Sequence, residues 1–136
     1  EKRMRSGNFP DRKLFLPHVP GRMRTILKKA MHKDADKRYQ SAEELSTDLG
    51  RIQANNDWTV NVDPDGAMTW TAKRAAGQAS LYVEKRPTGS DTWSIATYTI
   101  DADGKKRRRD PKKNFHTGLT SQIADDRLQD IFPNLE

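Results

Sequence analysis

Residues 58–72, WTVNVDPDGAMTWTA, carry the clearest fold signal in the chain. Apolar and polar residues alternate on both sides of the turn sequence Pro64-Asp65-Gly66. Because successive side chains of a strand point to opposite faces, a period of two residues around such a turn predicts a β-hairpin. The apolar positions of this predicted hairpin are Trp58, Val60, Val62, Met68, Trp70 and Ala72.

The residues after the hairpin continue the β pattern and then end in a helix. Two more strands are predicted at residues 80–85 and 92–100, and apolar side chains lie on both faces of the second one. Residues 105–118 are too basic and polar to assign, although a fifth short strand would fit there. Thr120 is a suitable N-cap for a final helix. The buried residues of that helix would be Ala124, Leu128 and Ile131.

The residues before the hairpin follow a helical period instead. Pro20 suits the first turn of a helix that extends to about residue 32, where the missing N–H of proline costs nothing. The apolar stripe of this helix would be Met23, Ile26, Leu27, Ala30 and Met31. Ser41 and Glu44 have the spacing of a capping box and predict the start of a second helix.

Composition and periodicity together predict an α+β chain of two small domains. Of the 136 residues, 33% are hydrophobic, and the mean hydropathy is −1.00, so there is little apolar surface to bury. The expected domains are residues 1–53, which are helical, and residues 57–136, an antiparallel sheet of about four strands plus the C-terminal helix. The start at Glu1 rather than Met suggests a piece of a longer protein.

The expected cellular location follows from the absence of long apolar segments and of cysteine in the sequence. It contains no window of about 18 apolar residues and no apolar signal-peptide core near the N-terminus, so we expect no contact with a membrane. It has no cysteine, which excludes disulfides and thiolate metal sites and is compatible with the cytoplasm. The three histidines, His18, His32 and His116, are scattered, so no metal site is predicted.

Residues 17–52, PHVPGRMRTILKKAMHKDADKRYQSAEELSTDLGRI, resemble the closing segment of a serine/threonine protein kinase catalytic domain. The resemblance covers about residues 8–53 and implies the last two helices of the large kinase lobe. It also implies structural roles for Arg38, Ser41 and Glu44. Arg38 matches the family's buried arginine, which pairs with the glutamate of an Ala-Pro-Glu motif that this chain lacks. An unpaired buried charge is costly, so Arg38 should be exposed or paired with Asp34, Asp36 or Glu44.

The catalytic parts of a kinase are missing from these residues. There is no Gly-rich phosphate loop, no strand lysine, no Asp-Phe-Gly and no Ala-Pro-Glu. His32-Lys33-Asp34 is similar to the His-Arg-Asp triplet, but Tyr39 stands where the metal-binding Asn would be. The chain is therefore expected to have no catalytic residue and no cofactor of its own, while ATP and Mg are implied for a parent kinase.

A basic run is the second candidate for function. The formal net charge is +6, and seven of the nine residues from 105 to 113 are basic. These candidate anion-binding residues are Lys105, Lys106, Arg107, Arg108, Arg109, Lys112 and Lys113. Near aromatic side chains such a run could hold a nucleic acid, with Trp58, Trp70, Trp93, Tyr82 and Tyr98 as stacking surfaces. It could also hold an acidic or phosphorylated protein, or be a solvated segment with no ligand.

Two functions stay open at this level. The first is a non-catalytic C-terminal fragment of a serine/threonine kinase with an appended protein-interaction or regulatory module. Its partners would be the rest of the kinase domain, another protein or a second copy of the chain. The alternative is a free-standing binding protein that uses residues 105–113 to hold an anionic partner, either nucleic acid or acidic protein.

Overall fold

The structure is a computed structural model that describes residues 15–52, 56–75 and 77–135, without the side chains of Pro111 and Lys112. The chain divides into two compact units, Glu1–Ala54 and Asn55–Glu136. The predicted α+β class is confirmed, with helices first and then an antiparallel sheet and a C-terminal helix. Residues 1–14, where the kinase resemblance starts, and residue 53 of the predicted first domain lie outside the described residues.

Among the described residues of the first unit there are two short helices, α1 (Gly21–Ala30) and α2 (Ala42–Gly50), with a 3₁₀ turn at Ala35–Lys37 between them. Pro20 directly precedes α1, whose helical hydrogen bonds end sooner than predicted. The N–H of Asp34 donates to the ring Nδ1 of His32 at 3.1 Å. This local bond lies just beyond α1, in the connection to the 3₁₀ turn.

The N-terminus of α2 has half of the predicted capping box. Ser41 Oγ accepts from the N–H of Glu44 at 3.1 Å, as a helix cap should. The Glu44 side chain, however, accepts from the N–H of Gln40 at 3.1 Å rather than from Ser41. The other oxygen of Glu44 lies 2.6 Å from the ammonium of Lys29 on α1. Glu44 therefore stabilises both the start of α2 and its contact with α1.

The second unit is built on a six-stranded antiparallel sheet. Its strands are β1 (Trp58–Val62), β2 (Met68–Ala72), β3 (Ser80–Pro87), β4 (Trp93–Ile100), β5 (Lys106–Arg108) and β6 (Phe115–Leu119). Strands β1 to β5 pair in sequence order, and β6 also pairs with β4. β5 occupies the Tyr98–Ile100 end of β4, and β6 occupies the Trp93–Ala96 end. The predicted hairpin is present, with Val60 opposite Trp70.

The sheet has two strands more than the four predicted from sequence. β5 lies within residues 105–118, and β6 begins there and ends at Leu119, whereas the sequence predicts at most one short strand in this region. Strands at a sheet edge tolerate charged side chains, because the backbone pairs on one side while the side chains stay in water. Because of its basic composition, this region shows no apolar alternation from which its strands could be predicted.

The core lies between one face of the sheet, here called the inner face, and helix α3 (Ser121–Ile131). Ala124, Leu128 and Ile131 are its buried residues, as predicted. Phe132 packs edge-on against Trp58 and Trp70, with ring centroids 5.0 and 5.5 Å apart respectively. Burial of each such large apolar side chain contributes about 1.5–3 kcal/mol, so this layer stabilises the unit.

The opposite face of the sheet is here called the outer face. On β4, Ile95 is fully buried in the core, whereas Tyr98 and Ile100 lie on the outer face and are half-buried. In the part of the chain that the structure describes, no helix is both long enough and apolar enough to cross a membrane.

Candidate anion-binding surface of the sheet

Strand β5 divides the basic run between the two faces of the sheet. Arg108 lies opposite Tyr98 and Lys106 lies opposite Ile100, so both cations share the outer face with these residues. Arg107 lies opposite Thr99 and points to the other side. The basic run is therefore not one continuous surface, and its members must be considered separately.

Lys106 is held over two tyrosine rings on the outer face. Its Nζ lies 4.0 Å from the ring centroid of Tyr82 and 3.8 Å from that of Tyr98. The two tyrosines are direct cross-strand partners, and their ring centroids are 6.0 Å apart. An ammonium over an aromatic face is attracted by the ring quadrupole, and this attraction limits the rotamers of the lysine. The cation is thus positioned rather than mobile.

Glu84 organises the cations of the outer face. Its carboxylate accepts from the Tyr98 hydroxyl at 2.9 Å and lies 3.3 Å from Lys106 Nζ and 3.4 Å from Arg86 Nε. Burial is the largest influence on the Glu84 pKa and acts upward. The hydrogen bond from Tyr98 and the charges and hydrogen bonds of Lys106 and Arg86 outweigh it, so the pKa lies below its ordinary value. Burial, followed by the bond to Glu84, raises the pKa of Tyr98.

Arg108 is the second cation of this face, and it lies over Phe115 of β6. Its Cζ is 4.3 Å from the ring centroid, and Phe115 remains 37% exposed. Arg108 is also close enough to hydrogen-bond the Tyr98 hydroxyl, so only the rest of its N–H edge is available to a planar acceptor such as carboxylate. We define the outer-face patch as Tyr82, Glu84, Arg86, Tyr98, Lys106, Arg108 and Phe115. Phe115 was not predicted as a site residue, because its strand was not recognised.

The remaining cations of the basic run lie outside the outer-face patch. Arg107 Nε is 3.1 Å from Asp101 Oδ2, so this charge is paired. Lys105 is exposed at the turn after β4, where its carbonyl accepts from the N–H of Asp101. Arg109 and Lys113 line a separate pocket beside α3. The Lys112 side chain lies outside the described residues.

The three tryptophans lie on the inner face, away from the outer-face patch. Trp70 is fully buried, and Trp58 and Trp93 are half-buried against the same core. Of the five predicted stacking residues, only Tyr82 and Tyr98 lie on the outer face, and Lys106 lies over both rings. A nucleic-acid base would have to displace this ammonium before it could stack on either ring.

The kinase-like residues lie in the first unit. Arg38 is exposed, and its Nε and Nη2 donate to the carbonyls of His32 and Lys33 at 2.6 and 3.5 Å. Asp34, one of its expected partners, lies 3.7 Å from Lys37 instead. The Glu44 carboxylate has a pKa below its ordinary value, first because Lys29 donates a hydrogen bond to it.

No set of metal ligands is found among the residues placed by the structure, where no three His, Asp or Glu side chains are grouped to hold an ion. Comparisons of the chain with protein-family models, with curated proteins and with solved structures gave no match.

Proposed function

We propose that this chain is a non-catalytic binding module whose second unit holds an acidic segment of a partner protein on the outer-face patch. The observation that carries the proposal is the placement of Lys106 and Arg108 over aromatic rings on an exposed face. Cations that are already ordered lose less side-chain entropy when they bind a carboxylate. This ordering distinguishes the patch from a mobile basic tail.

An acidic protein fits the patch better than a nucleic acid for two reasons. Glu84 lies among the cations and would repel a continuous phosphate backbone, whereas a peptide can place its carboxylates beside Arg108 and Lys106 and its N–H donors near Glu84. The tyrosine faces are also covered by Lys106, so the stacking that gives single strands much of their affinity is blocked.

The test is binding of the full chain to a fluorescent peptide of consecutive glutamates at low salt, compared with a single-stranded and a duplex oligonucleotide. We expect Arg108→Ala and Lys106→Ala to weaken peptide binding about tenfold or more, as for loss of a charge-assisted hydrogen bond. Arg107→Ala is the matched control, because it removes the same charge from the adjacent position on the opposite face.

Two results would overturn this proposal. Equal weakening by Arg107→Ala and Arg108→Ala would mean that only net charge matters. Binding of an oligonucleotide in preference to the peptide would assign the patch to nucleic acid.

Binding to the acidic peptide should weaken as salt is raised, because exposed charges are screened within about 10 Å at 0.1 M.

For the first unit we propose the end of the large lobe of a serine/threonine kinase, to which the sheet unit is appended as an interaction or regulatory module. Arg38 supports this reading: two carbonyls hold its guanidinium in an exposed loop, where a carboxylate from outside the unit can reach it. ATP and Mg would bind the rest of that kinase domain, and the proposed location is the cytoplasm.

The native coding sequence upstream of Glu1 tests the kinase proposal. An in-frame Gly-rich loop, strand lysine, His-Arg-Asp, Asp-Phe-Gly and Ala-Pro-Glu would support it. A start codon shortly before Glu1, or an upstream region without those motifs, would exclude it. The outer-face patch would then be the leading site of a free-standing binding protein.

A further inference from the structure

A pocket of about 690 Å³ lies in the second unit between the segment that follows β5 and the C-terminal half of α3. Its charged and titratable lining residues are Arg109, Asp110, Lys113, His116, Arg127 and Asp130. It is separate from the outer-face patch, with which it shares no residue. Three of the six residues, Arg109, Lys113 and Arg127, are cationic at neutral pH. Arg109 and Lys113 come from the segment after β5, and Arg127 comes from α3.

These three cations form no ion pair with a carboxylate among the described residues. Arg86, Lys106 and Arg107 each pair with a carboxylate of the same unit. None of the ion pairs among the described residues involves Arg109, Lys113 or Arg127, although Asp110 and Asp130 line the same pocket. Unpaired cations that converge on a concave site create a positive potential, which is strengthened by the low-dielectric walls.

The backbone around the pocket fixes this arrangement. Asp110 is the one non-glycine residue with positive φ (20°) among those described. Its carbonyl accepts from the N–H groups of Lys113 and Asn114 at 3.1 and 2.9 Å. The N–H of Arg109 donates to the Thr97 carbonyl at 2.9 Å. A single helical turn, Pro111–Asn114, follows Asp110, and Arg109 is tied to β4, so the side chains of Arg109 and Lys113 are brought to one pocket by hydrogen-bonded backbone.

His116 is also held in place. Its Nε2 lies 2.9 Å from the carbonyl oxygen of Lys113 and must donate to it, because a carbonyl can only accept. That bond fixes the orientation of the imidazole ring. The lining of the pocket therefore combines two guanidinium groups, an ammonium and an oriented imidazole with two carboxylates.

We propose that this pocket binds a phosphomonoester. A phosphomonoester carries nearly two negative charges and three acceptor oxygens, which matches several converging cationic donors. Guanidinium groups bind such planar pairs of oxygens through two parallel hydrogen bonds. The proposal is independent of the function assigned to the outer-face patch.

The experiment is a two-dimensional NMR titration of the full chain, labelled with ¹⁵N, at low ionic strength. The probes are inorganic phosphate, phosphoserine, and a serine peptide in phosphorylated and unphosphorylated forms. We expect saturable shifts of the Arg109, Lys113 and His116 amides with the phosphorylated probes. The unphosphorylated peptide should leave these amides unchanged.

Arg127→Ala is the decisive variant, because Arg127 is exposed on α3 and its loss leaves the core intact. We expect it to weaken phosphate-dependent binding about tenfold, with partial recovery in Arg127→Lys. Arg107→Ala, which removes a cation that lies outside both the pocket and the outer-face patch, should bind the phosphorylated probes as the unaltered chain does. A phosphopeptide that binds more tightly than phosphoserine would identify a phosphorylated protein as the source, and equal affinity would indicate a free phosphorylated molecule.

The proposal is overturned if no saturable shift appears at these amides with any phosphorylated probe. It is also overturned if Arg127→Ala binds phosphoserine as tightly as the unaltered chain. Because Lys106→Ala and Arg108→Ala report on the acidic peptide, and Arg127→Ala reports on phosphate, failure at one site is distinguishable from failure at the other.

Discussion

The ammonium of Lys85 lies 2.6 Å from Asp125 Oδ1, although Lys85 is only 4% exposed. Lys85 is on the inner face of β3 and Asp125 is on α3, so this ion pair joins the helix to the sheet. Ser121 Oγ accepts a second hydrogen bond from the same ammonium at 3.2 Å, and the Trp93 ring centroid is 4.8 Å away. The buried charge is therefore compensated on several sides.

The two members of this pair should respond differently to substitution. Asp125→Asn leaves a buried ammonium without its counter-charge, and we expect it to lower the free energy of unfolding by about 1–3 kcal/mol. Lys85→Met should cost less, within about 1 kcal/mol, because the side chain of Asp125 is 39% exposed and can be hydrated. Urea unfolding at neutral pH, followed by tryptophan fluorescence, measures both. A larger loss in Lys85→Met than in Asp125→Asn would contradict this explanation.

Glu84 should make the second unit sensitive to acid. Burial raises its pKa, but Tyr98, Lys106 and Arg86 together lower it below the ordinary value of 4.5. A carboxylate with a depressed pKa stabilises the folded state above its unfolded pKa, and this stabilisation is lost as the pH falls through the folded pKa. Glu84→Gln should therefore reduce stability near pH 7, and the difference from the unaltered chain should shrink at about pH 3. Unfolding curves at both pH values test this, and a difference that grows towards acid pH would refute it.

The Ser41 cap should determine the stability of the start of α2. Ser41→Ala removes the acceptor for the N–H of Glu44, and loss of such a cap typically costs about 1 kcal/mol. Amide hydrogen exchange of Glu44 and Leu45 in the full chain is the measurement, since it reports on this helix alone. Ser46→Ala, inside the same helix, is the control and should leave that exchange nearly unchanged. Equal exchange rates in Ser41→Ala and the unaltered chain would show that the cap is unimportant.

Thr97 offers a route to a more stable protein. Its side chain is fully buried on β4, and its Oγ1 has no hydrogen-bond partner among the residues that the structure describes. Thr97→Val keeps the shape and removes the unsatisfied hydroxyl, so we expect a gain of about 1 kcal/mol in the free energy of unfolding. Thr99→Val, at a half-buried position on the same strand, should give a smaller gain. Destabilisation by Thr97→Val would show that the hydroxyl has a partner such as a buried water.

Much of the fold follows from local patterns in the sequence. The Trp58–Val62 and Met68–Ala72 strands come from strict alternation around a turn, and α3 comes from its cap and its helical apolar spacing. The strands at Lys106–Arg108 and Phe115–Leu119 could not be recognised in the same way. One is uniformly basic and the other is interrupted by Gly118, so neither shows alternation. Their formation depends on the free edge of β4.

The candidate site was only partly predictable for the same reason. The basic run was identified from composition, but its division between two faces depends on the pairing of Arg108 with Tyr98. Phe115 and Arg127 were not expected at any site, because no local pattern links them to residues 105–113. Phe115 joins the outer-face patch through its cross-strand contact with Arg108, and Arg127 lines the same pocket as Arg109.

Self-association of the chain stays a prediction.

The sequence by itself determined the two kinds of secondary structure, the change of period between them, the caps at Ser41 and Thr120 and the apolar faces that form the core. These depend on interactions between residues that are close in the chain, and such interactions leave a local pattern. Only the tertiary structure decided which cations are paired, which lie over aromatic rings and which converge on a pocket with α3. The physical reason is that electrostatic and cation–π energies depend on distances between side chains from different strands and helices, and chain order alone does not specify those distances.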